Sequence, residues 1–193
     1  MRRIIVYIAT SADGYIARPD GSVDWLNRPR TAGDYGMAAF YRSIDTILWG
    51  RKTYEVALGF QKKGIKGANF DPKVTNYVFS RRPPRRRSAG VEFVSEPIEA
   101  FARRLRAAPG KHIWVMGGAE LIASFLDAGE IDEFIIHVIP TFIGEGIPLI
   151  APRHRTVPLA LRSCRRFSDG VVHLHYSVVK GAPSKKGGKK RAT

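Results

Sequence analysis

His112-Ile113-Trp114-Val115-Met116-Gly117-Gly118-Ala119-Glu120-Leu121 decides how the chain folds. From Ile113 to Met116 there is no polar alternation, which is the pattern of a strand covered on both faces. Two glycines then pass the chain into helical spacing that runs from Ala119 to Ala128, with Gly129 suited to the residue just beyond a helix C-terminus. A buried strand feeding a helix is the repeating unit of a parallel α/β sheet. The unit recurs on either side. Arg3 to Ala9, Thr46 to Trp49, Tyr77 to Phe79 and Phe134 to Ile139 read as further central strands. Helical spacing is expected over Tyr35 to Ser43, Lys52 to Leu58 and Pro97 to Ala107, with Pro97 in a first turn and Arg103, Arg104 and Arg106 on a wet face. Leu159 to Phe167 and Val171 to Val179, joined by Ser168-Asp169-Gly170, form a hairpin signature. The expectation is one α/β domain over residues 1–180: a mostly parallel central sheet flanked by helices, closed by a C-terminal antiparallel hairpin.

Composition narrows the function classes. Among 193 residues there is no run of about 20 apolar residues to cross a bilayer, so no membrane partner is expected. A lone Cys164 cannot make an internal disulfide, a Cys-rich zinc site or the paired-cysteine ligand set of a zinc deaminase, and it fits a reducing cytoplasm. The formal charge of +15 invites a nucleic-acid reading, yet ten of the cations lie in two short segments. Five arginines occupy 81–87, and Lys185, Lys186, Lys189, Lys190 and Arg191 occupy the tail 181–193. The tail is too polar to form a core and is expected to be disordered. A nucleic-acid module using these two segments stays as the alternative from another class, with weak, salt-dependent attraction.

The strand ends carry the chemistry. Gly144-Glu145-Gly146 lacks the third glycine of a dinucleotide fingerprint, and no phosphate loop of the Lys-Ser/Thr type is present. Gly117-Gly118, however, opens a helix directly after a buried strand, where free N–H groups can meet a pyrophosphate. Gly50-Arg51-Lys52-Thr53 repeats the arrangement with two cations at a helix start, where positive charge is out of place unless an anion comes there. Ser80-Arg81 adds a hydroxyl and a guanidinium at a third strand end. In an open parallel sheet these ends converge on one crevice, whereas as separate surface features they would do nothing together.

These stretches, with Ile8-Ala9-Thr10-Ser11-Ala12-Asp13-Gly14-Tyr15-Ile16-Ala17, Asp24-Trp25 and Pro140-Thr141-Phe142-Ile143-Gly144-Glu145-Gly146-Ile147-Pro148-Leu149, resemble the dihydrofolate reductase superfamily. Within it, the chain is most similar to the reductase domain of the bacterial riboflavin-biosynthesis enzyme, the RibD C-terminal domain type, and its stand-alone relatives. The resemblance spans residues 3–180 and implies NADPH lying across the strand ends, a small heterocyclic substrate and a homodimer joined near the edge hairpin. It implies that Gly50, Arg51, Lys52 and Thr53 meet the 2′-phosphate and pyrophosphate, with Ser80 and Arg81 at the adenosine end. It places Met116, Gly117, Gly118, Ala119 and Glu120 under the pyrophosphate, the peptide between the glycines commonly being cis. Ala9 and Ile16 match positions near the nicotinamide, and Asp13 to Trp25 matches a mobile loop over the site, with Asp13 and Trp25 toward substrate. The deaminase motif of the full riboflavin enzyme is absent, and Asn27-Arg28-Pro29-Arg30-Thr31-Ala32 departs from the usual apolar folate-binding region. The implied activity is NADPH-dependent reduction of an aminouracil-type heterocycle, with a dihydrofolate or other pterin reductase as the near alternative.

Reducing a C=N bond takes a hydride at carbon and a proton at nitrogen, so a carboxylate beside the ring is expected. Asp34 is the candidate, 16 residues before Gly50, a separation shared with many dihydrofolate reductases. It is equally placed to cap the helix that follows. Asp13 can instead form an Asp-Gly turn and Asp24 a loop or cap. Trp49, Trp114 and His137 read as core, and His173 with His175 lacks a third metal ligand, so no metal site is expected. Arg28 and Arg30 are the cations available to an anionic substrate.

Overall fold

The computed structural model describes residues 1–29, 31–62, 71–82 and 90–181. Most of the arginine-rich loop, Arg30 and the basic tail from 182 onward lie outside the described residues. The elements are β1 (Ile4–Ser11), β2 (Tyr15–Ala17), α1 (Met37–Arg42), β3 (Ile44–Gly50), α2 (Arg51–Lys62), β4 (Thr75–Phe79), β5 (Val91–Val94), α3 (Ile98–Ala107), β6 (His112–Gly117), α4 (Ala119–Asp127), β7 (Glu133–Ile139), β8 (Ile147–Pro148), β9 (Leu159–Arg166) and β10 (Val172–Val178), plus a 3-10 turn at Asp24–Leu26. Eight strands form one sheet in the order β5-β4-β3-β6-β1-β7-β10-β9. The pairings from β5 to β7 are parallel, and β7-β10 and β10-β9 are antiparallel. The expected α/β sheet with a closing hairpin is therefore present.

Alternation along the strands sorts the core into two layers. Ile4, Val6, Ile113 and Val115 face α3 and α4, meeting Phe101, Leu105, Ile122 and Phe125. Ile5, Tyr7 and Trp114 point to the opposite face, against Phe40 of α1 and Tyr54 of α2. Strands covered on both sides carry no polar alternation, which is why the apolar runs were legible. The short strands β2, β5 and β8 were not foreseen. β5 has only four residues, and β2 pairs with β8 through a contact more than 100 residues away in the chain.

Several boundaries and one assignment change. α1 starts at Met37 rather than Tyr35, because Tyr35 takes a left-handed φ of 55° and Gly36 one of 91°. Pro97 is the N-cap of α3, one residue outside the helix. Arg106 does not lie on a wet face. Its side chain is 13 % exposed and bridges Asp132 at 2.7 Å and Glu130 at 3.3 Å, while donating to the Arg2 carbonyl. Arg2 is buried too, bonded to Thr46 and paired with Asp45. Both arginines thus tie the amino ends of the strands together, leaving the carboxyl ends for the site.

Candidate active site

Two hollows open at the carboxyl ends of the parallel strands. The first, about 580 Å³, is a groove walled by Gly50 at the end of β3 and Arg51 after it, Ser80 and Arg81 after β4, Ser95 and Glu96 after β5, Glu120 and Ser124 of α4, and Arg153 from the loop after β8. The second, about 260 Å³, is lined by Tyr7, Ile8 and Ala9 of β1, Trp114 and Met116 of β6, His137 and Ile139 of β7, and Leu26, Arg28, Asp34, Tyr35 and Met37 from the segment before β3. Gly117-Gly118 stands between Met116 of the cavity and Glu120 of the groove, and its peptide bond is cis.

The glycines at the junction are required by proximity. A Cβ on Gly50 would lie 3.1 Å from the Gly118 nitrogen and 3.2 Å from the Gly117 oxygen, and a Cβ on Gly118 would lie 3.1 Å from Thr53 Oγ1. The first turn of α2 therefore abuts the β6–α4 turn directly, with no room for side chains. Gly117 also has a φ of 113°, a conformation side chains disfavour. On the groove walls, Arg51 pairs with Glu55 and donates to the Arg82 carbonyl, and Ser80 Oγ donates to the same carbonyl. Arg153 bridges Glu120 at 2.9 Å and Asp127 at 2.6 Å, offsetting the carboxylate that Glu120 would otherwise present there. Lys52 is exposed at the start of α2.

Asp34 performs the capping expected of it while lining the cavity. Its Oδ1 accepts from Gly36 N–H at 3.0 Å and its Oδ2 from Ala38 N–H at 2.8 Å. The Ala38 and Gly36 bonds hold its carboxyl below the ordinary range, so it is ionised at neutral pH. Burial, aided by the Asp34 charge, pushes the Tyr7 phenol up to about 12. His137 is 4 % exposed, and burial lowers its imidazole to about 4. Its Nε2 lies 3.1 Å from the Tyr35 carbonyl, which can only accept, so that nitrogen carries the proton; His173 Nδ1 stands 3.2 Å from it. Tyr35 is anchored at its other end by a hydroxyl bond to Asp169, in the turn between β9 and β10.

Other expected residues serve these hollows from behind. Asp13 accepts from Gly144 N–H at 2.8 Å and Ile143 N–H at 3.1 Å, tying the β1–β2 turn to the loop before β8. It is therefore not a cavity-lining group. Trp25 is buried against Ile139, Phe167 and Val171, one layer behind Leu26. Ile16 packs with Ala119 and Ala123 beneath the start of α4. Trp114 is core, as expected, with its Nε1 donating to the Tyr7 carbonyl, and it also forms cavity wall. Tyr7, Tyr35 and Arg153 were not anticipated, since nothing local distinguishes them from core or surface residues. Among the described residues no cluster of three His, Cys, Asp or Glu could hold a metal. No described helix is long and apolar enough to cross a membrane.

A family model for the RibD C-terminal domain matches residues 2–173. The chain belongs to the RibD C-terminal domain family. The Bacillus subtilis (strain 168) protein YwjB, described as uncharacterized, is 40 % identical over 175 residues, covering 91 % of this chain and 97 % of its own. A candidate riboflavin biosynthesis protein from Shewanella sp. PV-4 superposes with a TM-score of 0.79 at 25 % identity, covering 92 % of this chain and 99 % of the other. The Thermotoga maritima diaminohydroxyphosphoribosylaminopyrimidine deaminase/5-amino-6-(5-phosphoribosylamino)uracil reductase shares the fold at a TM-score of 0.67 and 16 % identity, the match covering 92 % of this RibD C-terminal domain and 57 % of that chain. Membership in this family of reductases indicates an oxidoreductase.

Proposed function

We propose that the protein is an NADPH-dependent reductase of a flat nitrogen heterocycle, a pterin or an aminouracil. The observation that carries this reading is the junction itself: a groove with arginines on its walls and a mostly apolar cavity, with Gly117-Gly118 between Met116 of the one and Glu120 of the other. The residues fit a dinucleotide phosphate, because Gly50, Gly117 and Gly118 leave backbone open to close approach beside Thr53 and the helix start at Ala119. Arg51, Lys52, Ser80 and Arg81 supply charge and hydrogen bonds for the 2′-phosphate end. When bound, NADPH supplies the hydride.

The chain's own residues then do the rest. Ala9 and Met116 border the space for the nicotinamide, with Ile16 supporting the α4 start behind it. Asp13 and Trp25 hold the flanking turns that keep water out. Asp34, ionised and with one lone pair on each oxygen engaged by a backbone N–H, accepts from the heterocycle's N–H edge and orients a water that delivers the proton to nitrogen. Its lowered pKa suits this holding role better than direct donation. A homodimer through the exposed β9 edge and a cytoplasmic location, fitting the free Cys164, complete the reading.

The test is a titration with NADPH and, in parallel, NADH, following energy transfer from the three tryptophans to bound nicotinamide. NADPH should bind at least tenfold more tightly than NADH. Absence of binding by either dinucleotide overturns the proposal.

A further inference from the structure

The α4 wall of the groove carries an ion pair whose two halves answer differently to an anion. Glu120, in the first turn of α4, lines the groove with a side chain 82 % exposed. The N–H groups of a helix start favour a carboxylate there, and they favour an incoming phosphate for the same reason. Glu120 and the diphosphate of a dinucleotide seated at Gly117-Gly118 therefore compete for one position.

Arg153, from the loop between β8 and β9, is strapped along the same wall. Its Nη1 donates to Asp127 Oδ2 at 2.6 Å, and its Nη2 donates to Glu120 Oε2 at 2.9 Å and to Ser124 Oγ at 3.3 Å. The side chain is 38 % exposed and lines the groove, so a groove ligand can reach it. The two ends of the strap differ. Arg155 also grips Asp127, donating from Nε at 2.6 Å, and holds the Ala151 carbonyl as well, so the loop stays tied to α4 whatever Arg153 does. At the Glu120 end the pair is open to water and weak. A diphosphate brings more charge than one carboxylate, and the guanidinium fork suits phosphate oxygens.

We infer that Arg153 binds the diphosphate of the dinucleotide, its Nη2 passing from Glu120 to a phosphate oxygen while Asp127 keeps Nη1. This rests on the reductase reading above and adds a binding residue to its groove. Arg153 then sets affinity for the dinucleotide as such, whereas Arg51 and Arg81 serve the 2′-phosphate. Glu120 is the resident anion that the cofactor displaces.

The experiment titrates the full chain with NADPH and with NADH by calorimetry, for the parent protein, Arg153→Met, Glu120→Gln and the double variant. Arg153→Met should weaken both dinucleotides by the same factor, about tenfold, leaving their ratio unchanged. Glu120→Gln should tighten both by about threefold, since the competing anion is gone. The double variant should stay at least about fivefold weaker than Glu120→Gln alone, because the direct contact is still missing. Melting temperatures report folding. Should Arg153→Met unfold, Arg153→Lys decides, because a point charge cannot bridge Asp127 and a phosphate, and a loss of about threefold or more is expected. Unchanged NADPH affinity in the Arg153 variants, a loss confined to NADPH, or a double variant equal to Glu120→Gln overturns the inference alone. A parent chain that binds neither dinucleotide overturns the reductase reading and the inference with it.

Discussion

The groove and the cavity lie side by side at the same sheet edge but are assembled by opposite means. Most groove residues end a strand or follow it by a few positions: Gly50 ends β3 and Arg51 follows it, Ser80-Arg81 follow β4, and Glu120 comes shortly after β6. The cavity draws Tyr7, Trp114 and His137 from three strands far apart in sequence and closes them with Arg28, Asp34 and Tyr35 from one irregular segment. A groove built this way can be preserved through local motifs, which suits a ligand that never changes. A cavity built from dispersed positions can be altered one residue at a time, which suits a substrate that varies between relatives.

If the two hollows are separable, variants should strike one and spare the other. The largest effect is expected at Asp34. Asp34→Asn should reduce turnover at neutral pH by about 10²–10⁴-fold while leaving the NADPH titration unchanged. Asp34→Ala should also lose stability with its cap, seen as a fall of a few degrees in melting temperature. A change in turnover no larger than that stability loss explains would reduce Asp34 to a capping residue.

Gly50→Val attacks the groove. Its side chain meets backbone on the β6–α4 turn, which cannot yield as a flexible side chain would. We expect NADPH affinity to fall by about 100-fold, equivalent to roughly 3 kcal/mol of overpacking and lost approach, with ring binding in the cavity retained. Loss of both together would show the hollows to be one cooperative unit.

The cavity also carries an acid sensitivity. Because His137 titrates near 4 in the fold, against about 6.5 when unfolded, the unfolded chain takes up a proton first as pH falls. Stability from this group is complete above about pH 6.5 and declines as pH drops toward 4, by at most about 3 kcal/mol. His173, lowered first by burial and then by the His175 charge, acts in the same direction. Denaturant unfolding of His137→Gln at pH 7 and pH 4.5 should show a smaller difference than the parent chain, and an unchanged difference refutes the assignment.

The smallest expected effect separates the two dinucleotides. Arg51→Ala or Arg81→Ala should weaken NADPH about tenfold and leave NADH nearly unchanged in parallel titrations. Equal weakening of both would move these arginines away from the 2′-phosphate.

Much of this molecule is written locally in its sequence. The runs at Ile4–Tyr7 and Ile113–Met116 announced strands because both faces are buried, and the glycines marked the turns because Gly50 meets backbone, Gly118 meets the Thr53 hydroxyl and Gly117 takes a positive φ. A run of apolar residues or a residue type reports these directly, even where, as at Gly50, the approach is to a turn far along the chain. Tertiary structure alone decided the rest. Arg106 looked like a solvent-facing cation until Asp132 and Glu130, from a distant turn, came beneath it. Trp25 and Asp13 were expected toward substrate, yet contacts with Phe167 and Gly144 draw them behind the site. Arg28 is a loop arginine by composition, and only Asp169, 141 residues away, fixes it in the cavity wall. A side chain's burial and partners are set by what the fold brings against it, and no local spacing encodes that.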